Sequence, residues 1–537
     1  MKILYGFLFA LMLILLFNPL IYSQAQFSRE GEIQVPAIEN TGFGEMIAGV
    51  DFVGDGKQEI YIVNNMLDQG GAELIPRIYK YEYNGSTWDS VWSASLPDVH
   101  QNSWGALTYG DLDQDGKMEI IWAPSNNLDG FSGPNPNRIF VFEAAGDGSD
   151  RMGIDFFGNY LPNAVWTIAS QDNMDVRPIK MAVSDINGDG KPELIFADRE
   201  SSYRFGVISV SDIPDNGDGS ETWTLDASAL NASLDAGSIY DMAVVNTFIY
   251  LLDVDGIVTP VEYQNGSYNI LSGINNAVPG GSWKSSCVVD LNNDGQKEIV
   301  VAGWNPNYAK IYLLDPDSFS ILNTTQIADV SSYIGPLGRL NGGASGDIDR
   351  DGKLDFVFGT RGATPNGAII RLSYLGGSIS DSNSYKISVI DSLLSDNVVQ
   401  RFDVVAVGNV DGDTTNNEVL YTDGNQAGRI PLVILKLNSS TYVMDTKLPH
   451  NFSLDQNFPN PFNPSTTIKF TLQKRSNVNL SVFNILGQQV ALIINNVEKE
   501  AGEYKVTFNA LPLPSGTYIY RLQAGNNVQT KKMVLLK

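Results

Sequence analysis

Gly110-Asp111-Leu112-Asp113-Gln114-Asp115-Gly116-Lys117-Met118-Glu119-Ile120-Ile121-Trp122 is the stretch on which the fold turns. Acids stand at loop positions 1, 3, 5 and 9, a glycine at position 6, and an apolar run follows. Calcium takes about six to eight oxygens, and a short loop can supply them from alternating positions. Asp111, Asp113 and Asp115 offer carboxylates and Lys117 its backbone carbonyl. Gly116 permits the sharp turn, and Glu119 would close the shell from the next strand. In a helix-flanked calcium loop the closing acid comes about three residues later, on a helix. Here Ile120-Ile121-Trp122 follows it, a strand composition. The stretch therefore reads as a calcium loop inside a β-hairpin.

The phrase recurs at a period of tens of residues, which signals a repeat architecture. Full copies are Asp185, Asn187, Asp189, Lys191, Glu193; Asp290, Asn292, Asp294, Gln296, Glu298; and Asp347, Asp349, Asp351, Lys353, Asp355. Two copies are worn. Asp51, Asp55 and Glu59 surround Val53 at position 3. Asn409, Asp411, Asp413 and Glu418 lack the turn glycine and span one extra residue. First positions are spaced by 60, 74, 105, 57 and 62 residues. Inside the long gap, residues 240–253 form a hairpin pattern without an acidic loop, ending in Ile249-Tyr250-Leu251-Leu252-Asp253. That ending repeats as Ile311-Tyr312-Leu313-Leu314-Asp315. The count is seven units, one of which has lost its loop.

On these residues the units resemble the FG-GAP or VCBS repeats of calcium-binding β-propellers, a kind also found in integrin α subunits. The resemblance covers about residues 40–445. It implies an all-β, seven-bladed propeller with about four strong calcium sites and weaker ones at the worn loops.

Composition narrows the function. The 537 residues carry 61 acids against 35 Lys and Arg, a net charge of −26. Nucleic-acid binding needs a basic footprint, so that class is excluded. The 51 glycines and 24 prolines suit many short strands and turns. Cys287, alone of its kind, cannot form an intramolecular disulfide and reads as a core residue.

Residues 1–25 read as a signal peptide: Lys2, then the apolar run Ile3–Phe17, then small residues at Ser23 and Ala25 before a cut at Gln26. No later stretch is long enough to span a bilayer. Residues 26–446 are assigned to the propeller, 447–451 to a linker and 452–537 to a C-terminal domain. Either Tyr442–Asp445 or Glu32–Val35 could supply the outer strand that closes the ring.

The C-terminal segment alternates as short strands at 468–472, 478–483, 503–509, 517–524 and 530–536, the size of a small β-sandwich. Its pieces Asn457–Pro464, Val482–Val490, Ala501–Tyr504, Pro514–Leu522 and Lys531–Lys537 resemble, in order, the type A sorting domain of the type IX secretion system. The resemblance implies an Ig-like sandwich, that machinery as partner, and export through the periplasm to the outside or the cell surface of a Bacteroidetes-like bacterium.

No residues are assigned to catalysis. The two histidines, His100 and His450, lie in no catalytic motif, and no nucleophile elbow, phosphate loop or zinc spacing occurs. A carboxylate glycosidase or a propeller lyase is the alternative, since two acids suffice for the former; a purely structural surface protein is another. The main reading is a binding module for a glycan or protein. Trp104 and Trp283 each stand seven residues before a loop's first acid, at the end of the first strand away from the loop. Phe131, Trp304, Tyr308, Arg199 and Arg361 join them from connectors on that face. Exposed aromatics there would suit sugar rings or protein loops; the alternative is that Trp104 and Trp283 are packing residues between blades.

Overall fold

The structure, a computed structural model, describes residues 27–537 apart from 40–41, 65–74, 100, 102, 126–138, 167–176, 199–204, 230–237, 319–320, 336–337, 363–365, 395–401, 403, 423–430, 439–452, 473–475, 500–501, 512 and 526. The proposed signal peptide, the linker, His100, His450, Phe131, Arg199 and Tyr442–Asp445 lie outside the described residues, as does the side chain of Trp104. The chain is all-β and separates into two compact units, Met1–Asn438 and Ser439–Lys537.

Among the described residues, seven four-stranded antiparallel sheets occur in the first unit. Their inner two strands are joined by the acidic loop or its equivalent. Those strands are Phe43–Val50 and Glu59–Asn64, Ser103–Gly110 and Glu119–Ser125, Pro178–Ser184 and Glu193–Asp198, and Ile239–Val245 and Phe248–Asp253. The last three pairs are Cys287–Val289 and Glu298–Ala302, Arg339–Gly346 and Asp355–Arg361, and Val405–Gly408 and Glu418–Thr422. In the fourth sheet a tight turn at Asn246-Thr247 replaces the loop, as the sequence implies, and Asn246 takes a positive φ of 52° to make it.

First strands of consecutive sheets lie against one another, and that of the seventh sheet lies against that of the first. The last contact is backbone on backbone. A Cβ on Gly49 would come within 2.7 Å of the Gly408 Cα, so only glycine fits there. The second strand of each sheet is buried on both faces, which explains its unbroken apolar run: Ile120, Ile121 and Trp122 are fully buried. Cys287 is buried and unpaired, as its apolar setting suggests.

The outer strand of the seventh sheet comes from the N-terminal side, but as a strand that starts earlier and shares only Glu32 and Ile33 with the expected Glu32–Val35. Phe27–Ile33 pairs antiparallel with Leu432–Leu437, from Phe27↔Leu437 to Ile33↔Leu432. Phe27 and Ile33 are buried while the residues between are mostly exposed, as an edge strand requires. The second sheet also carries a feature the sequence reading lacks: a two-stranded hairpin, Ile154–Phe156 with Asn159–Leu161.

In the second unit, Ser453–Leu454, Ser465–Leu472 and Gly502–Asn509 form one sheet. Gln489–Lys499, Ser476–Asn484, Gly516–Ala524 and Asn527–Leu535 form the other. The sequence reading misses the strand Gln489–Lys499. Its alternation is broken by shifts in its register with Ser476–Asn484, and Asn496 adopts a positive φ of 49°. The core packs Ile468, Phe470, Leu480, Val482, Leu522 and Met533 around Tyr520.

Candidate functional site

Six acidic loops are built on a position-1 side-chain oxygen that accepts backbone N–H bonds, an Asp carboxylate in five and the Asn409 amide in the sixth. In the 111–119 loop, Gly116 N donates to Asp111 Oδ2 at 3.2 Å and Lys117 N to Asp115 Oδ1 at 2.8 Å. The 185–193 loop repeats this with Gly190 N to Asp185 Oδ2 at 3.0 Å, and the 290–298 loop with Gly295 N to Asp290 Oδ2 at 2.9 Å. The 347–355 loop does so with Gly352 N to Asp347 Oδ2 at 2.9 Å, and the 51–59 loop with Gly56 N to Asp51 Oδ2 at 3.0 Å. In the 409–418 loop, Gly412 N donates to Asn409 Oδ1 at 2.8 Å. The glycine at position 6 has a positive φ wherever it is present, 92° at Gly116, which a side chain would strain.

The closing acid is fixed in the same way in all six. It begins the second strand and accepts the N–H of loop position 2. Leu112 N donates to Glu119 at 2.6 Å, Ile186 N to Glu193 at 3.0 Å and Leu291 N to Glu298 at 2.9 Å. Likewise Ile348 N donates to Asp355 at 3.1 Å, Phe52 N to Glu59 at 2.9 Å and Val410 N to Glu418 at 3.0 Å. The extra residue of the last loop therefore does not displace Glu418 from this bond.

The loops differ in what meets the closing acid's other oxygen. Glu119 is 0 % exposed, and its Oε1 has no hydrogen-bond partner; neither has Asp111 Oδ1. One oxygen each from Asp111, Asp113, Asp115 and Glu119 lies within 4.8 Å of the others. Burial, then the charges of Asp113, Asp111 and Glu143, push the Glu119 carboxyl up to about 9. A buried, half-satisfied carboxylate facing other carboxylates is costly unless a cation joins it, so these residues fit a hard divalent ion. Asp185, Asp189 and Glu193 form a similar group, with Asn187 Nδ2 donating to Glu193. Burial raises Glu193 to about 7 and also raises Glu298. The position-7 lysines serve the loop's outer rim: Lys117 Nζ stands 2.6 Å from Asp115, and Lys353 Nζ 3.3 Å from Asp351.

Basic residues on third strands meet the other closing acids, and the sequence reading overlooks them. Lys80, 0 % exposed, stands 2.6 Å from Glu59 Oε1 and 2.9 Å from both Glu82 and Asp150. Arg371, 5 % exposed, donates from Nε and a terminal nitrogen to both oxygens of Asp355 at 2.7 Å, and to Asp349 at 2.6 Å. Lys436 bonds Asp411, stands 3.1 Å from Asp413, and lies 3.9 Å from Glu418. The signal was available: Lys80, Arg371 and Lys436 each interrupt an apolar strand run.

On the opposite ends of the strands, the expected exposed aromatics are mostly not exposed. Trp283 is 9 % exposed and Trp304 is buried. Trp283 stacks on Tyr240 at 4.2 Å and meets Trp304 at 4.5 Å; the Arg361 guanidinium lies 5.6 Å from the Trp304 ring. These rings pack on one another and on Tyr240. Tyr308 remains at the surface, 42 % exposed. The buried Asp241, a conceivable catalytic acid, is saturated: Lys180 Nζ lies 2.6 Å from it, and Ser285 N and Ser286 N each donate at 2.8 Å.

A family model of FG-GAP-like repeats matches residues 27–122 and 290–358, and one of the secretion system C-terminal sorting domain matches residues 456–536. The chain carries FG-GAP-like repeats and a type IX sorting domain. The sorting domain implies interaction with the type IX secretion machinery and points to the extracellular or cell-surface space. Among the described residues, no helix is long and apolar enough to cross a membrane. FG-GAP-like repeats are consistent with a binding module. No curated protein matches the chain. Among solved structures, BBS1N, from a complex with ARL6DN, is 9 % identical, covering 77 % of this chain and 99 % of its own, with a TM-score of 0.42. The N-terminal domain of Nup159 is 10 % identical, covering 77 % and 95 %, with a TM-score of 0.38. Values this low do not bear on function.

Proposed function

We propose that the first unit is a seven-bladed, calcium-stabilised β-propeller, exported by its sorting domain and displayed or released outside the cell as a binding module for a glycan or protein. The observation that supports it best is the 111–119 loop, where a fully buried Glu119 leaves one oxygen unpaired among three aspartates. Asp111, Asp113, Asp115 and Glu119 would hold the ion by carboxylate oxygens, with the Lys117 carbonyl. When bound, the ion would supply positive charge to the unpaired oxygens of Glu119 and Asp111, which Lys117 on Asp115 leaves unmet. The loop's backbone bonds pre-set the carboxylates, so little order remains to be gained on binding. Tyr308 and Arg361 are the ligand contacts proposed on the far face, over a packed floor of Trp283 and Trp304.

Extracellular calcium modules bind at about 10⁻⁴–10⁻³ M. At ten times Kd one site contributes about 1.4 kcal/mol of stability. Stripping calcium from the purified protein should therefore lower its melting temperature, and Asp113→Ala should remove one ion from the count. A melting curve indifferent to calcium would end the proposal.

A further inference from the structure

Two of the three basic residues on the closing acids share one position, and the third stands two residues along its strand from it. In the first sheet Tyr61, two residues after Glu59, pairs with Lys80. In the sixth, Val357, two residues after Asp355, pairs with Arg371. The same place in the second, third and fifth sheets holds Val141 opposite Ile121, Val207 opposite Ile195, and Leu313 opposite Val300. In the seventh sheet Lys436 lies one residue on from Leu435, which pairs with Val419, and so faces the closing Glu418 directly. At that place the third strand holds a cation in the first and sixth sheets and an aliphatic side chain in the second, third, fifth and seventh, where Ile434 pairs with Leu420; resident cations thus meet three of the six closing acids from two different positions.

We infer that Lys80, Arg371 and Lys436 are built-in counter-cations that take the place of calcium, so that calcium binding is confined to the loops at 111–119, 185–193 and 290–298. The inference rests on the calcium reading above and narrows it. The decisive case is the loop at 347–355, which has the full ligand sequence of a metal site. Both oxygens of its closing Asp355, and one oxygen of Asp349, are already bonded to one guanidinium. Arg371 is held there by its surroundings, 5 % exposed and with its guanidinium 5.9 Å from the Phe27 ring. A metal could use Asp355 only by expelling this charge from its buried partners, which leaves a buried cation uncompensated. Lys80 stands likewise among Glu59, Glu82 and Asp150, and Lys436 among Asp411, Asp413, Glu418 and Glu30 at 3.7 Å. The same carboxylates that would hold a divalent ion here hold a side-chain cation instead. The position-7 lysine of the 111–119 loop is turned outward, binding Asp115, Glu143 and Asp215 and leaving Glu119 Oε1 unpaired; Glu418 Oε1 also makes no hydrogen bond, but Lys436 stands 3.9 Å from it and bonds Asp411 beside it.

The test is calcium counting on full-length protein stripped with chelator and re-equilibrated with calcium alone, for wild type, Arg371→Met, Lys436→Met and Arg371→Lys. The Met variants keep the aliphatic stem and remove the charge. Wild type should bind three ions. Arg371→Met should bind one more, with a larger rise in melting temperature on adding calcium, and Lys436→Met should behave likewise. Arg371→Lys should keep the wild-type count. Either Met variant, folded by circular dichroism, is sufficient for the comparison. An unchanged count in both, with wild type already at four or more, overturns the inference and leaves the calcium reading standing. A count of zero in every variant overturns the calcium reading itself.

Discussion

Trp283→Ala separates ligand contact from packing without any ligand in hand. Trp283 is 9 % exposed and lies between Tyr240, 4.2 Å away and nearly parallel at 17°, and Trp304 at 4.5 Å. Truncating a buried Trp costs about 3–5 kcal/mol, with the loss of two ring contacts, each about 0.5–1.5 kcal/mol, inside or slightly above that range. The first unit has about 400 described or intervening residues, and unfolding entropy of about 2 cal/mol/K per residue makes each kcal/mol worth only about 1 °C. A loss of about 4 kcal/mol then lowers the melting temperature by about 5 °C. Urea unfolding is the sharper assay, because the midpoint should fall while the slope, set by the area exposed, stays the same. An unchanged midpoint together with lost binding to a glycan or protein would refute the packing argument and return Trp283 to the ligand face.

Further outcomes are expected of the calcium-free protein and of the second unit. The Glu119 carboxyl, raised to about 9 when folded against 4.5 as the ordinary value, binds more protons in the folded than in the unfolded chain between those values. Its contribution is fully present below pH ~4.5 and is lost as pH rises toward 9, by up to about 1.4 kcal/mol per pH unit. Chelated protein should thus melt lower at pH 8 than at pH 5.5, and added calcium should raise the melt more at pH 8; equal calcium increments at both would count against Glu119 as the closing ligand. Tyr520→Phe should destabilise the second unit by about 1–3 kcal/mol, measured by its own unfolding transition, because the buried hydroxyl donates to Asp455 O at 2.6 Å and accepts from Asn457 N at 2.8 Å. Deleting residues 452–537 should leave a calcium-responsive first unit in the periplasm, and normal surface display of that truncation would remove the export role of the segment.

What could be read from the sequence was whatever is local. The loop phrase at 111–119 specifies its turn, its strand and its donor order within a dozen residues, so the hairpins are legible. The apolar run Leu432–Leu437 declares a buried strand. The partner of that strand is not legible, because the outer strand comes from Phe27–Ile33 at the other end of the unit. Trp283 and Trp304 mislead for the same reason, since their burial depends on Tyr240 in the preceding sheet. Lys80, Arg371 and Lys436 lie 16 to 21 residues after the closing acids they meet. Their role appears only once the register of the third strand is known. The strand Gln489–Lys499 hides behind its bulges, which break the period of two.

The pairing of Phe27 with Leu437 joins residues 410 positions apart. The first strand to be synthesised therefore has no partner until the unit is almost finished. Until Phe27–Ile33 docks on it, the strand Leu432–Leu437 presents a free hydrogen-bonding edge, the kind that recruits foreign strands. Contacts of such long separation also slow folding, because the loop entropy is lost before the contact repays it. Arg29, on that first strand, then latches the closed form to the sixth sheet through Asp391 at 2.9 Å.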